Sequence, residues 1–139
     1  MWVFTTQGYL SVVDKEESGG ELCVRSRDDE DLKDLQAYLQ QALRKGVPIM
    51  PTGKADYQYR MFVEREDFMK YMVQKIRELK YENFKDACSY KEDSVWRRKP
   101  EALYGLARIW ETIWETCSYN RFGVPKDQQA DWDPEKEFL

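Results

Sequence analysis

Apolar and polar positions alternate through the first part of the chain and then change period. Residues 2–13, WVFTTQGYLSVV, are dominated by β-branched and aromatic residues, the composition of a pleated surface. Gly8 interrupts this run, which predicts two short strands meeting at a turn or bulge. DKEESGG, residues 14–20, is a polar turn ending in Gly19-Gly20. ELCVRSR, residues 21–27, returns as a strand, with Leu22 and Val24 on one face and Cys23 and Arg25 on the other.

From Asp28 the period becomes helical. Leu32, Leu35, Leu39, Ala42 and Leu43 form one apolar stripe. Asp28 or Asp29 can cap its start, and the acidic first turn suits the helix dipole. Arg44 and Lys45 favour its end, where Gly46 is a natural left-handed terminator. VPIMPTGK, with Pro48 and Pro51, suits an edge strand or an extended link. In ADYQYRMFVER, period two places Tyr57, Tyr59, Met61 and Val63 on one face and Gln58, Arg60, Phe62 and Glu64 on the other.

Residues 66–80 predict a second helix, with Phe68, Met72, Ile76 and Leu79 along one side and Met69 and Val73 adjoining. YENFKDAC, residues 81–88, predicts a short helical turn with Tyr81, Phe84 and Cys88 inward. SYKEDSVWRRK is a polar connector. Pro100 then opens a third helix to about residue 118, where Leu103, Leu106, Trp110, Ile113 and Cys117 recur at helical spacing. The order β-β-β-α-β-β-α-α predicts an α+β fold. Its antiparallel sheet is ferredoxin-like or a related split sheet, with helices on one face and an extra C-terminal helix. Residues 1–120 are expected to form a single α+β domain. Residues 121–139 carry two prolines and five acidic residues against two lysines, an acidic tail expected to be weakly ordered.

Taken together, MWVFTTQGYLSVV, ADYQYRMFV and YENFKDA, followed by a late tryptophan helix, resemble a family of small bacterial and phage proteins of no settled activity. That family carries MW-F…G-Y-x-SVV, D-Y-x-Y-R and Y-x-N-F-K motifs. The resemblance covers most of residues 1–117 and departs at the longer, more aromatic DSVWRRKPEALYGLARIWETIW. It implies a cytoplasmic setting and a mobile-element origin, and it implies no catalytic residue.

Composition narrows the chemistry. The 139 residues suit one domain, and 42% hydrophobic with 14% aromatic residues can fill a core. No apolar run approaches the roughly 20 residues of a membrane span, and no secretory signal is expected. The net charge of −4 argues against a general nucleic-acid binder. Three widely spaced cysteines, Cys23, Cys88 and Cys117, fit reduced cytoplasmic thiols. Zero histidines remove Ser-His-Asp and Cys-His catalysis and every His-ligated metal. No cofactor and no metal are expected: Asp28, Asp29, Glu30 and Asp31 are consecutive and point in different directions, and no phosphate-loop spacing occurs.

The residues left for binding each have two interpretations. Tyr57, Tyr59 and Arg60 could form a sheet surface that stacks a base and holds a phosphate, or an ordinary strand with one face inward. Asn83 and Lys85 could join Arg60 in a polar site, or mark a helix end that Asn83 caps. Arg97-Arg98, with Trp96, could contact phosphates and a base, or belong to a solvated loop. Trp110 and Trp114 could pack inward or present an aromatic face to a partner or a second copy. The sequence therefore points to a non-enzymatic, cytoplasmic binding protein acting through a protein partner, as a phage or mobile-element accessory or counter-defence protein. The alternative is a small-ligand or nucleotide-binding domain using Arg60 and neighbouring tyrosines. Nucleic acid is not favoured, no membrane is involved, and a homodimer through the C-terminal helix is conceivable.

Overall fold

A computed structural model describes residues 1–16, 19–90, 94–96 and 99–122. Within the last helix, the side chains of Pro100, Trp114 and residues 117–122 are outside that description, as is the side chain of Tyr90. The chain forms two compact units, Met1–Glu82 and a second beginning at Asn83, and the domain expected over residues 1–120 spans both. The fold is α+β, with a five-stranded antiparallel sheet.

In the first unit β1 (Trp2–Thr5) and β2 (Gly8–Asp14) form a hairpin around Thr6-Gln7. The turn is tied by Gln7 N–H donating to Thr5 Oγ1 at 3.1 Å. β3 (Leu22–Ser26) follows, then α1 (Glu30–Ala42), β4 (Met50–Pro51), β5 (Tyr59–Val63) and α2 (Arg65–Arg77). The strand order is β1-β2-β3-β5-β4, all neighbours antiparallel. Because β5 lies between them, β3 and β4 run parallel, and β3-α1-β4 is a split β-α-β unit.

Alternation sorts the sheet into two faces. Val3, Leu10, Val12, Leu22, Val24, Met61 and Val63 are buried with Leu32, Leu35 and Leu39 of α1 and with Phe68 and Tyr71 of α2. The expected α1 stripe therefore does face the core, except that Ala42 is exposed and Leu43 half-buried. Gly8 is required at its place. Its φ of +138° disfavours any side chain, and a Cβ there would lie 2.6–2.9 Å from Asp31. Asp31 is itself anchored, accepting the Ser26 hydroxyl at 2.7 Å.

Several local expectations are corrected. Arg44, not Gly46, takes the left-handed turn after α1 (φ +59°), because the helix ends two residues earlier than its charge pattern implies. Asp29 occupies the cap position without a side-chain cap, and Asp28 accepts the Glu30 N–H at 3.0 Å instead. In α2 Phe68 and Tyr71 are buried and Met72 packs against the core as expected, while Ile76 and Leu79 are exposed together with Met69 and Val73. Tyr71 takes the inward place because its ring meets Phe68 and Tyr38 while its hydroxyl reaches Asp34 at 2.8 Å.

The second unit holds α3 (Phe84–Tyr90) and α4 (Pro100–Phe122). Cys88 and Ala87 are buried and Phe84 is half-buried, as is Tyr81 at the end of the first unit. Ser94, Val95 and Trp96, expected in a polar connector, are buried. Pro100 does open the helix, which continues four residues beyond 118. Its expected inward stripe is corrected: Leu103 and Leu106 are half-buried, but Trp110 and Ile113 are exposed. Arg121 and Phe122 complete α4, and the remainder of the expected tail lies outside the described residues. Among the described residues no helix is long and apolar enough to cross a membrane.

Candidate functional site

The sheet face opposite α1 gathers a cluster that the strand registers dictate. Phe4 lies across from Tyr9, Trp2 from Ser11, Ser11 from Arg25, and Arg25 from Arg60. Each is the out-of-phase neighbour of a core residue, so all share the outer face. The rings form a chain. Trp2 meets Tyr9 edge-on at 5.9 Å between centroids, Phe4 meets Tyr9 at 4.8 Å, and Tyr9 meets Tyr57 at 6.5 Å. Trp2 is 63% exposed, so the chain starts at an open ring.

Tyr57 enters from a loop. β5 begins only at Tyr59, and the preceding segment is pinned when Thr52 Oγ1 donates to the Tyr57 carbonyl and Thr52 N–H to the Gln58 carbonyl, both at 2.7 Å. The Tyr57 ring therefore does not share the Tyr59, Met61 and Val63 face as strand periodicity suggests. It lies with Arg25, whose guanidinium sits 4.4 Å from its centroid, while Arg27 sits at 5.9 Å. Arg25 Nη2 also donates to Ser11 Oγ at 3.0 Å.

Two tyrosine hydroxyls close the cluster, 3.1 Å apart. Burial pushes the Tyr9 phenol up, and the contact with Tyr57 adds to this. The Tyr57 phenol is lowered, first by its hydrogen bond with Tyr9, then by Ser11 and the two arginines. The two hydroxyls share one hydrogen bond, in which either can donate.

Among the described residues no carboxylate lies within ion-pair distance of Arg25, Arg27 or Arg60. Among the described residues, the Nε atoms of Arg25 and Arg60 are buried without a hydrogen-bond partner. Two like charges directly across a strand pair cost stability, on the order of 0.2–1 kcal/mol. Two guanidiniums across a strand pair, with the exposed Trp2 ring on the same face, can accept a planar anion, stacking its flat part and pairing its charge.

Of the residues singled out from sequence, Tyr57 and Arg60 lie on this face. Tyr59 lies on the core face, half-buried against the hydrophobic cluster. Asn83 and Lys85 belong to the second unit, where Asn83 Oδ1 accepts the Lys85 and Asp86 N–H groups at 2.9 and 3.4 Å and so caps α3. Lys85 Nζ lies 5.8 Å from the Trp110 ring. Trp96 is only 6% exposed. Arg97 and Arg98 lie outside the described residues. Trp2, Phe4, Tyr9, Ser11, Arg25 and Arg27 had not been singled out. The hairpin break at Gly8 was the available signal, since it sets Phe4 opposite Tyr9. Among the described residues there is no group of three or more acidic or cysteine side chains able to hold a metal ion.

No family model matches the chain, and neither a curated protein nor a solved structure matches it.

Proposed function

We propose that the protein binds a nucleotide on the outer face of its sheet. Arg25 and Arg27 converging on the Tyr57 ring, with no described carboxylate to neutralise them, carry this reading. The guanidiniums, with Arg60 alongside, take the phosphate, and the open Trp2 ring with Tyr9 takes the base. A thermal-shift series tests it. A nucleoside monophosphate should raise Tm, and the matching nucleoside should not. Arg27→Gln, at an exposed position, should leave the unliganded Tm unchanged and weaken binding about tenfold, the usual order for a hydrogen bond to a charged group. Equal stabilisation of wild type and Arg27→Gln contradicts the site.

A second reading, a protein partner, is favoured by the exposure of Tyr104, Ile109, Trp110 and Ile113 on α4. Tryptophan and tyrosine dominate interface hot spots. In this form the protein is an accessory or counter-defence protein of a mobile element, in keeping with the bacterial and phage proteins it resembles. Trp110→Ala should then abolish saturable capture of one host protein while leaving nucleotide binding intact.

A further inference from the structure

α2 has a second, uncovered face. Phe68 and Tyr71 point into the core, but Met69, Val73 and Ile76 are 52%, 45% and 62% exposed. Spaced by four and then three residues, they form one stripe over two turns. Scattered apolar residues on a surface are ordinary, but a continuous stripe on a helix that already buries its other face marks an interaction surface.

The charges beside the stripe say what covers it. Glu66 and Arg77 are both exposed and stand eleven positions apart. At 3.6 residues per turn that is about three turns, so both flank the stripe on the same side, one at each end. Among the described residues neither has an ion pair. A second α2 laid antiparallel brings Glu66 of each copy against Arg77 of the other, once at each end. A parallel copy would set Glu66 on Glu66 and Arg77 on Arg77. The stripe is thus complementary to its own reverse, the property a two-fold interface requires.

We infer that the protein self-associates through α2, as an antiparallel two-fold pair in which Met69, Val73 and Ile76 of the two copies interdigitate between reciprocal Glu66–Arg77 contacts. The thirteen-residue helix is about 20 Å long, so the contact is small and the dimer exchanges at micromolar concentrations. α2 packs on the core side of the sheet, so the pair does not use the outer face.

Sedimentation velocity of the full chain, from about 1 to 500 μM, tests this at the low end and well above an interface of this size. The mass should rise from 16.7 kDa toward twice that value. Ile76→Glu and Val73→Glu, at exposed positions, should stay monomeric throughout with unchanged circular dichroism and Tm. Glu66→Arg and Arg77→Glu should each weaken association roughly tenfold, and the double exchange should restore it. A chain that is monomeric at every concentration overturns the inference. So does a dimer indifferent to Ile76→Glu, or one that the double charge exchange fails to restore.

Discussion

At the residue scale, single side chains are held by specific partners. Gly8 combines a positive φ with an approach of 2.6 Å to Asp31, so Gly8→Ala should cost at least about 2 kcal/mol in urea unfolding. A cost near zero would mean that the hairpin moves freely away from α1. The phenol pair makes a sharper prediction. Hydrogen-bonded to Tyr9, Tyr57 should ionise below the ordinary 10.0, and Tyr9→Phe should move it back up. Assigned tyrosine ring resonances followed through an alkaline titration report this directly, and an unmoved Tyr57 contradicts the hydroxyl geometry. In the second unit, burial pushes the Cys88 thiol up to about 12. At pH 8 only about one thiol in ten thousand is then ionised. In a Cys117→Ser variant, a thiol reagent should label nothing until the protein unfolds, since Cys23 is buried as well.

At the element scale, α1 and α2 are joined by polar ties above a shared core. Asp34 on α1 accepts the Tyr71 hydroxyl and the Lys75 ammonium, each at 2.8 Å. Tyr71→Phe should cost about 1–3 kcal/mol, because a carboxylate loses a donor beside a buried ring. For Lys75, burial lowers the pKa, but the hydrogen bonds and charges of Asp34 and Glu78 outweigh it and the net shift is upward. Its stabilisation is therefore complete below the unfolded lysine value of 10.5 and is lost as pH climbs through the higher folded value. Lys75→Met should flatten that alkaline loss. A second tie joins Lys45, after α1, to Asp67, which is buried in the first turn of α2, at 2.6 Å.

Much of this was legible in the residues. Leu32, Leu35 and Leu39 have one helical phase, and Met61 and Val63 have one strand phase, so each could face only one way. α2 was not legible to the same degree. Apolar residues occur all around it, and periodicity alone could not tell that an aromatic with a hydroxyl partner, Tyr71, would exclude Ile76 from the core. Tyr57 was misplaced because alternation was carried back into a loop that Thr52 pins, where period two no longer holds.

At the scale of the molecule, charge is distributed against its mean. The chain carries −4, yet Arg25, Arg27 and Arg60 share one face with Trp2, Phe4, Tyr9 and Tyr57. An acidic whole gives no long-range attraction for a polyanion, whereas a local arginine cluster serves a small anion at contact distance. A mononucleotide should therefore bind as tightly as a single-stranded oligonucleotide, with a shallow salt dependence. The cluster was the least legible feature, because it depends on register: Arg25 faces Arg60 only once β5 has inserted between β3 and β4.

The most direct measurement is a two-dimensional amide NMR titration of the intact chain with a nucleoside monophosphate. Saturable shifts should concentrate at residues 2–4, 9–11, 25–27 and 57–60. Shifts absent from those strands, or confined to the helices, would contradict the sheet face as the binding surface.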